Sequence, residues 1–147
     1  YLLRYMLDFE TRGSASLLNV EKLRSPFRYT LRLRDGDAAR EKVVDLPETF
    51  AYLLGLRVRT RRAHHDGGRR YLVYRGTTPD RGEVVAIWRD TEGWDETDFD
   101  RDARFVEDNA LAVNADEVFV NGDSFIPEAR PLEAIFKKLM LADSAVG

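Results

Sequence analysis

The amino-acid sequence predicts an α/β fold: a single mixed-sheet domain in which antiparallel hairpins are followed by a βαβ unit and a C-terminal helix. Residues 27–34 and 56–62 alternate apolar and polar side chains with the period of a strand, and acidic or glycine-rich turns follow them. Val84-Val85-Ala86-Ile87-Trp88 is apolar at every position, as a central strand covered on both faces requires. Leu132, Ile135, Phe136, Leu139 and Met140 recur at helical spacing near the C-terminus.

Each element has its own signal. Leu2, Leu3, Met6 and Leu7 give an amphipathic helix over 1–10, followed by a loop at 11–16 and a short helical turn at 17–23. Ser25-Pro26 starts an extended run, because proline pushes its predecessor out of the helical region. Phe27, Tyr29, Leu31 and Leu33 then alternate with Arg28, Thr30, Arg32 and Arg34, a strand with one buried and one arginine-rich face. Asp35-Gly36-Asp37 turns the chain and Glu41 to Val44 returns it. Asp45-Leu46-Pro47-Glu48 opens a helix, with Asp45 as cap, Glu48 three residues on, and proline tolerated in the first turn. It ends at Leu54, where Gly55 suits the left-handed stop.

A basic hairpin comes next. Leu56, Val58 and Thr60 alternate with Arg57, Arg59 and Arg61, which the spacing sets on one strand face. His65-Asp66-Gly67-Gly68 makes the turn and Arg69 to Arg75 the partner strand. Thr77 to Gly82 reads as a loop before the apolar strand. Trp94 to Asp98 leads into a helix of roughly fifteen residues, with Phe99, Ala103, Val106 and Ala110 on one face. Its acidic first turn complements the helix dipole. Glu117 to Val120 is a second apolar strand, so strand, helix and strand make a right-handed parallel βαβ unit. Pro131 opens the last helix. Residues 1–25 read as an arm from a preceding region and 26–147 as the α/β domain.

Composition narrows the class. The chain has 147 residues, a net charge of −3, 44% hydrophobic and 33% charged residues, and no cysteine. These values describe a globular chain without a disulfide scaffold or thiolate zinc site. No apolar run approaches the roughly 20 residues of a membrane span, and no signal-peptide pattern opens the sequence, so the expected location is the cytoplasm. Tyr1 sits inside an apolar stretch, which suggests a piece of a longer protein. Charge is uneven: 24–81 is rich in arginine and 83–123 is acidic.

Few groups suggest catalysis. His64 and His65 are adjacent, so on a strand they point to opposite faces and do not share a metal. Phosphate and dinucleotide cradles and the G-x-S-x-G elbow are absent. Asp95, Asp98, Asp100 and Asp102 do not match a calcium loop and read as a helix cap with a solvated face. No metal site is expected. Asn121, Asp123 and Ser124 follow the second βαβ strand, where open α/β sheets place ligands; they form either a ligand loop or a turn. Arg57, Arg59, Arg61, Arg62, Arg69 and Arg70 are the strongest local feature, since guanidinium forks suit phosphates and a two-stranded ribbon can follow a nucleic-acid backbone. The alternative is that these arginines pair with the acidic half of the same domain.

Longer strings add a family resemblance. LLRYMLDFETRGSASLLN (2–19), SPFRYTLRL (25–33), VDLPETFAYLLGLRV (44–58), VVAIWRD (84–90), DEVFVNGDSF (116–125) and the LEAIFKKLM helix occur in this order. The series resembles the C-terminal region of Mod-type adenine-specific DNA methyltransferases, the modification subunits of type III restriction-modification systems. The resemblance covers nearly the whole chain. It implies a parent enzyme that transfers a methyl group from S-adenosylmethionine to adenine N6 on a flipped base. It also implies a dimeric assembly and a helicase-nuclease restriction (Res) subunit as partner. The family's D-P-P-Y-type and F-x-G-x-G motifs do not occur here, so no catalytic residue carries over. The chain is expected to be inactive alone and to hold no cofactor of its own, serving assembly and contact with the DNA backbone. A protein-interaction module without a DNA role, and a small enzyme using the 121–124 loop, are the competing readings.

Overall fold

The structure is a computed structural model that describes residues 22–35 and 38–146. The expected helix over 1–10, the loop at 11–16, most of the turn at 17–23 and the tip of the 35–37 turn lie outside the described residues. So does the facing of the side chains at 31–34.

The chain enters through a 3-10 turn at Pro26–Arg28, where a strand was expected to begin. Proline's fixed φ suits the first position of a helical turn as well as an extended run. Extended structure starts at β1 (Thr30–Asp35), which pairs antiparallel with β2 (Ala38–Val43) from Thr30↔Val43 to Asp35↔Ala38. This hairpin forms its own two-stranded sheet. Helix α1 (Leu46–Leu54) begins and ends as its sequence predicts. The Asp45 carboxylate accepts from the Glu48 N–H at 3.1 Å, and Gly55 adopts φ 76° at the C-terminal stop.

The remaining strands form one five-stranded mixed sheet in the order β3-β4-β5-β6-β7. They are β3 (Arg57–Asp66), β4 (Arg69–Thr78), β5 (Gly82–Arg89), β6 (Glu117–Val120) and β7 (Ala129–Pro131). The β3, β4 and β5 strands pair antiparallel; β6 runs parallel to β5 and β7 parallel to β6. Helix α2 (Glu96–Asp108) connects β5 to β6, completing the expected parallel βαβ unit. The expected 77–82 loop is shorter than predicted, because the β4 and β5 ladder continues to Thr78↔Gly82. A tight turn closes it, with the Arg81 N–H donating to Thr78 Oγ1 at 2.8 Å. The β7 strand has no sequence signal: three residues are too few to show a period. It delays the last helix, α3 (Glu133–Val146), to two residues beyond Pro131.

Two apolar clusters cover the two sheet faces. Leu46, Phe50 and Leu54 of α1 and Phe136 and Met140 of α3 meet Val84, Ala86, Trp88 and Phe119 on one face. The Phe50 ring sits 6.0 Å from Trp88, 5.8 Å from Phe119 and 5.4 Å from Phe136, in tilted or edge-on arrangements that favour aromatic pairs. On the other face Val106 of α2 meets Tyr71, Val73, Val85, Ile87, Val118 and Val120. Residues 84–88 are all buried, as an all-apolar central strand requires. The α3 stripe is core: Leu132 and Phe136 are fully buried and Ile135 and Leu139 pack against them. Leu23, on the arm side of the expected boundary, is buried in the same cluster, and its N–H donates to Glu133 at 2.9 Å.

Candidate nucleic-acid interface

The basic hairpin is the β3–β4 pair, and β3 is the outermost strand of its sheet. Among the described residues no strand pairs with its outer edge. The register runs Arg57↔Thr77 and Val58↔Gly76, then resumes at Thr60↔Arg75, so Arg59 is an extra residue in a β-bulge. A bulge shifts the phase of the side-chain alternation. Beyond it, Arg61 pairs with Tyr74 and faces α1, while Arg62 pairs with Val73 and faces α2. The expectation that Arg57, Arg59 and Arg61 share one face is therefore corrected: Arg62 takes the place of Arg61 on the α2 side. Gly76 sits opposite the bulge. A Cβ there would lie 2.0 Å from the Arg57 carbonyl oxygen, so only glycine admits this approach of β3.

The six candidate arginines divide between the faces. Arg59 and Arg75 both donate to Glu83, and the Arg59 hydrogen bond leads in holding that carboxyl below its usual range. Arg61 donates through Nε to Glu48 at 2.5 Å and lies 5.3 Å over the Tyr74 ring. The Tyr74 hydroxyl also donates to Glu48. Glu48 is pulled below the usual carboxylate range, chiefly by the Arg61 hydrogen bond; burial pushes the Tyr74 hydroxyl upward. Arg69 pairs with Asp98 and sits 5.0 Å over Trp94, so it ties the hairpin to the start of α2. Arg70, on the α1 side, lies 4.7 Å over Phe27. Arg57 and Arg62 are exposed and have no acidic partner among the described residues. Half of the set is thus held inside the domain by carboxylates, and two members on one face remain free.

The other candidates resolve locally. His64 and His65 pair across the hairpin with Tyr71 and Arg70 and face opposite sides. Among the described residues no group of side chains is placed to hold a metal ion. Asp95 caps α2, and its carboxylate and that of Asp98 exchange hydrogen bonds with each other's backbone N–H at 3.0 Å. Asp102 departs from the expected solvated face: it is fully buried. Its carboxylate accepts from Tyr71 Oη at 2.6 Å and from Arg89 Nη1 at 2.5 Å. Arg89, also fully buried, reaches on to the carbonyl oxygens of Asn121 and Asp123. The sequence shows only an arginine ending an apolar strand and an aspartate seven residues into a helix, with nothing to connect them.

The same network fixes the 121–124 loop. Asn121 is buried, accepts from the Arg89 N–H at 2.8 Å and donates to the carbonyls of Leu23 and Arg89 at 2.6 and 2.7 Å. Its amide faces inward, where backbone groups engage both its oxygen and its nitrogen. Ser124 Oγ accepts from the Ile126 N–H at 2.8 Å, a local turn, and exposed Asp123 pairs with Lys22 at 3.0 Å.

No family model, curated protein or solved structure matches the chain. The chemistry on offer is therefore that of the hairpin itself. Its α2-side face presents exposed guanidinium groups along one strand, which can neutralise anionic ligand oxygens without choosing among base sequences.

Proposed function

We propose that this chain is the non-catalytic C-terminal domain of a site-specific, Mod-type DNA adenine-N6 methyltransferase, serving assembly and adding contacts to the DNA backbone. S-adenosylmethionine binding and methyl transfer belong to the parent enzyme, and the restriction subunit is the partner of assembly. The ordered series of family-like strings supports the identity. The observation that carries the DNA role is the pair of free guanidinium groups, Arg57 and Arg62, on one face of the outer strand, with Arg59 between them. With Arg59 bulged out they lie four ladder steps apart, so at about 3.3 Å per residue these two side chains start roughly 13 Å apart. That is the rise of about four base pairs at 3.4 Å each.

Such contacts give affinity that is steeply salt-dependent and indifferent to sequence. The test is fluorescence anisotropy of the 147-residue chain with unrelated duplexes at low and moderate salt. The expected result is equal affinity for all duplexes, and for Arg57→Ala a salt slope shallower by about one. The paired variant Arg57→Ala with Arg59→Ala should lose only slightly more, because Arg59 is already engaged by Glu83. Absence of binding at low salt would overturn the DNA role and make the hairpin a protein-facing surface.

A further inference from the structure

A groove of about 360 Å³ runs between the α2-side face of the hairpin and the loop that follows α2. Thr60, Arg62 and His64 of β3 form one wall; Leu111, Val113 and their neighbours in the loop form the other. Among the described residues no carboxylate lines it. Arg75 fixes the loop wall by donating to the carbonyl oxygens of Leu111 and Val113, at 3.4 and 2.7 Å, while its other nitrogen reaches Glu83 at 3.3 Å. Among the described residues Arg62 makes no such contact. The bulge creates this arrangement, because with Arg59 in regular alternation Arg62 and His64 would turn to the α1 side. The groove thus joins an uncompensated cation, a hydroxyl and an imidazole to an apolar wall. Buried Val73 of β4 and Leu111 lie at the groove's base and half-exposed Val113 at its rim.

We propose that the groove holds one sugar-phosphate unit of a nucleotide. The phosphate sits at Arg62, with the Thr60 hydroxyl and His64 ring as further donors, and the sugar lies against Leu111 and Val113. Guanidinium groups match phosphate oxygens in charge and in fork geometry. The proposal rests on the DNA reading only for its source: the unit is a link of the DNA backbone. A free mononucleotide offers the same chemistry.

The experiment compares the wild-type chain with Arg62→Ala and Val113→Asp, which sets a carboxylate at the rim where the side chain is 50% exposed. Arg57→Ala lies outside the groove and serves as the reference. Each protein is titrated with a labelled duplex at low salt and, by calorimetry, with adenosine monophosphate; matching urea midpoints establish that the variants fold. For Arg62→Ala the expected result is a roughly tenfold loss of duplex affinity and a slope shallower by about one. Val113→Asp should weaken binding as strongly. If Arg57→Ala weakens duplex binding while both groove variants bind as the wild type does, the groove proposal is wrong and the DNA role stands. If the duplex does not bind but the mononucleotide does, and Arg62→Ala abolishes that binding, the groove stands with a free nucleotide as its ligand and the DNA role falls. Failure of both ligands to bind overturns both.

Discussion

Arg89 and Asp102 meet where neither side chain has any contact with solvent. Removing charges from water costs several kcal/mol per ion, so such a pair persists only when further hydrogen bonds complete it. Here Tyr71 and the carbonyls of Asn121 and Asp123 supply them at every polar atom of the pair except Arg89 Nε, tying β4, β5, α2 and the loop after β6 to one point. Burial first, and then the Asp102 carboxylate, push the Tyr71 hydroxyl far above its ordinary value, so it remains a donor. Asp102→Ala leaves Arg89 buried and uncompensated. It should cost about 3–5 kcal/mol, a large part of the roughly 5–15 kcal/mol of a domain's stability, and urea unfolding measures it. Gly76 is a second single-residue constraint, of steric origin. Gly76→Ala sets a methyl group 2.0 Å from the Arg57 carbonyl oxygen, and backbone on both sides gives little. The expected loss is about 1–3 kcal/mol. Hydrogen exchange should locate it, with amides at 57–60 exchanging faster while 84–88 stay protected.

Ion pairs to neighbouring elements brace the hairpin, and their sign sets its response to acid. Glu48 joins α1 to β3 through Arg61 and to β4 through Tyr74. Its folded pKa lies below the ordinary value of 4.5, so the folded state binds fewer protons than the unfolded chain in that range. The stabilisation is therefore complete above the unfolded pKa and is lost as pH falls through the folded one. Glu48→Gln should lower the urea midpoint at pH 7 and flatten its decline below pH 4.5. Equal declines in both proteins would show that the Arg61 contact adds nothing to stability. How far these elements were legible follows from the range of their signals. Helix α1 is local, with its cap, proline and stop glycine inside eleven residues, and it forms as read. The apolar run of β5 announces a central strand because burial on both faces leaves no polar position. The bulge at Arg59 is not local. It depends on Gly76, seventeen residues later, and one extra residue there exchanges the faces of Arg61 and Arg62. For the same reason the Arg89–Asp102 contact, across a helix and a strand, leaves no trace in spacing.

At the scale of the molecule, the arginine-rich and acidic halves are laced together by pairs such as Arg59–Glu83, Arg69–Asp98 and Arg81–Glu117. Arg57 and Arg62, which have no acidic partner among the described residues, both lie on β3, whose ten residues carry four arginines and one aspartate. Among the described residues this strand is also an open sheet edge. Its unpaired backbone donors and acceptors are a template for another strand, and charge on the edge is one way that proteins prevent such pairing. Two copies joined antiparallel through β3 would bring the arginines of one against those of the other, and like charges facing across a ladder destabilise it. Arg57 and Arg62 are the informative pair, because Arg59 and Arg61 are already matched by Glu83 and Glu48. Arg57→Thr with Arg62→Thr removes the two free charges and substitutes residues that favour strands. Sedimentation velocity should find the wild-type chain unassociated at low salt and the double variant forming concentration-dependent dimers. Added salt should narrow the difference, since the screening length falls from about 10 Å at 0.1 M to about 3 Å at 1 M. A double variant that stays monomeric across the same concentrations would mean that the bulge alone closes this edge, leaving the two arginines free of any guarding role.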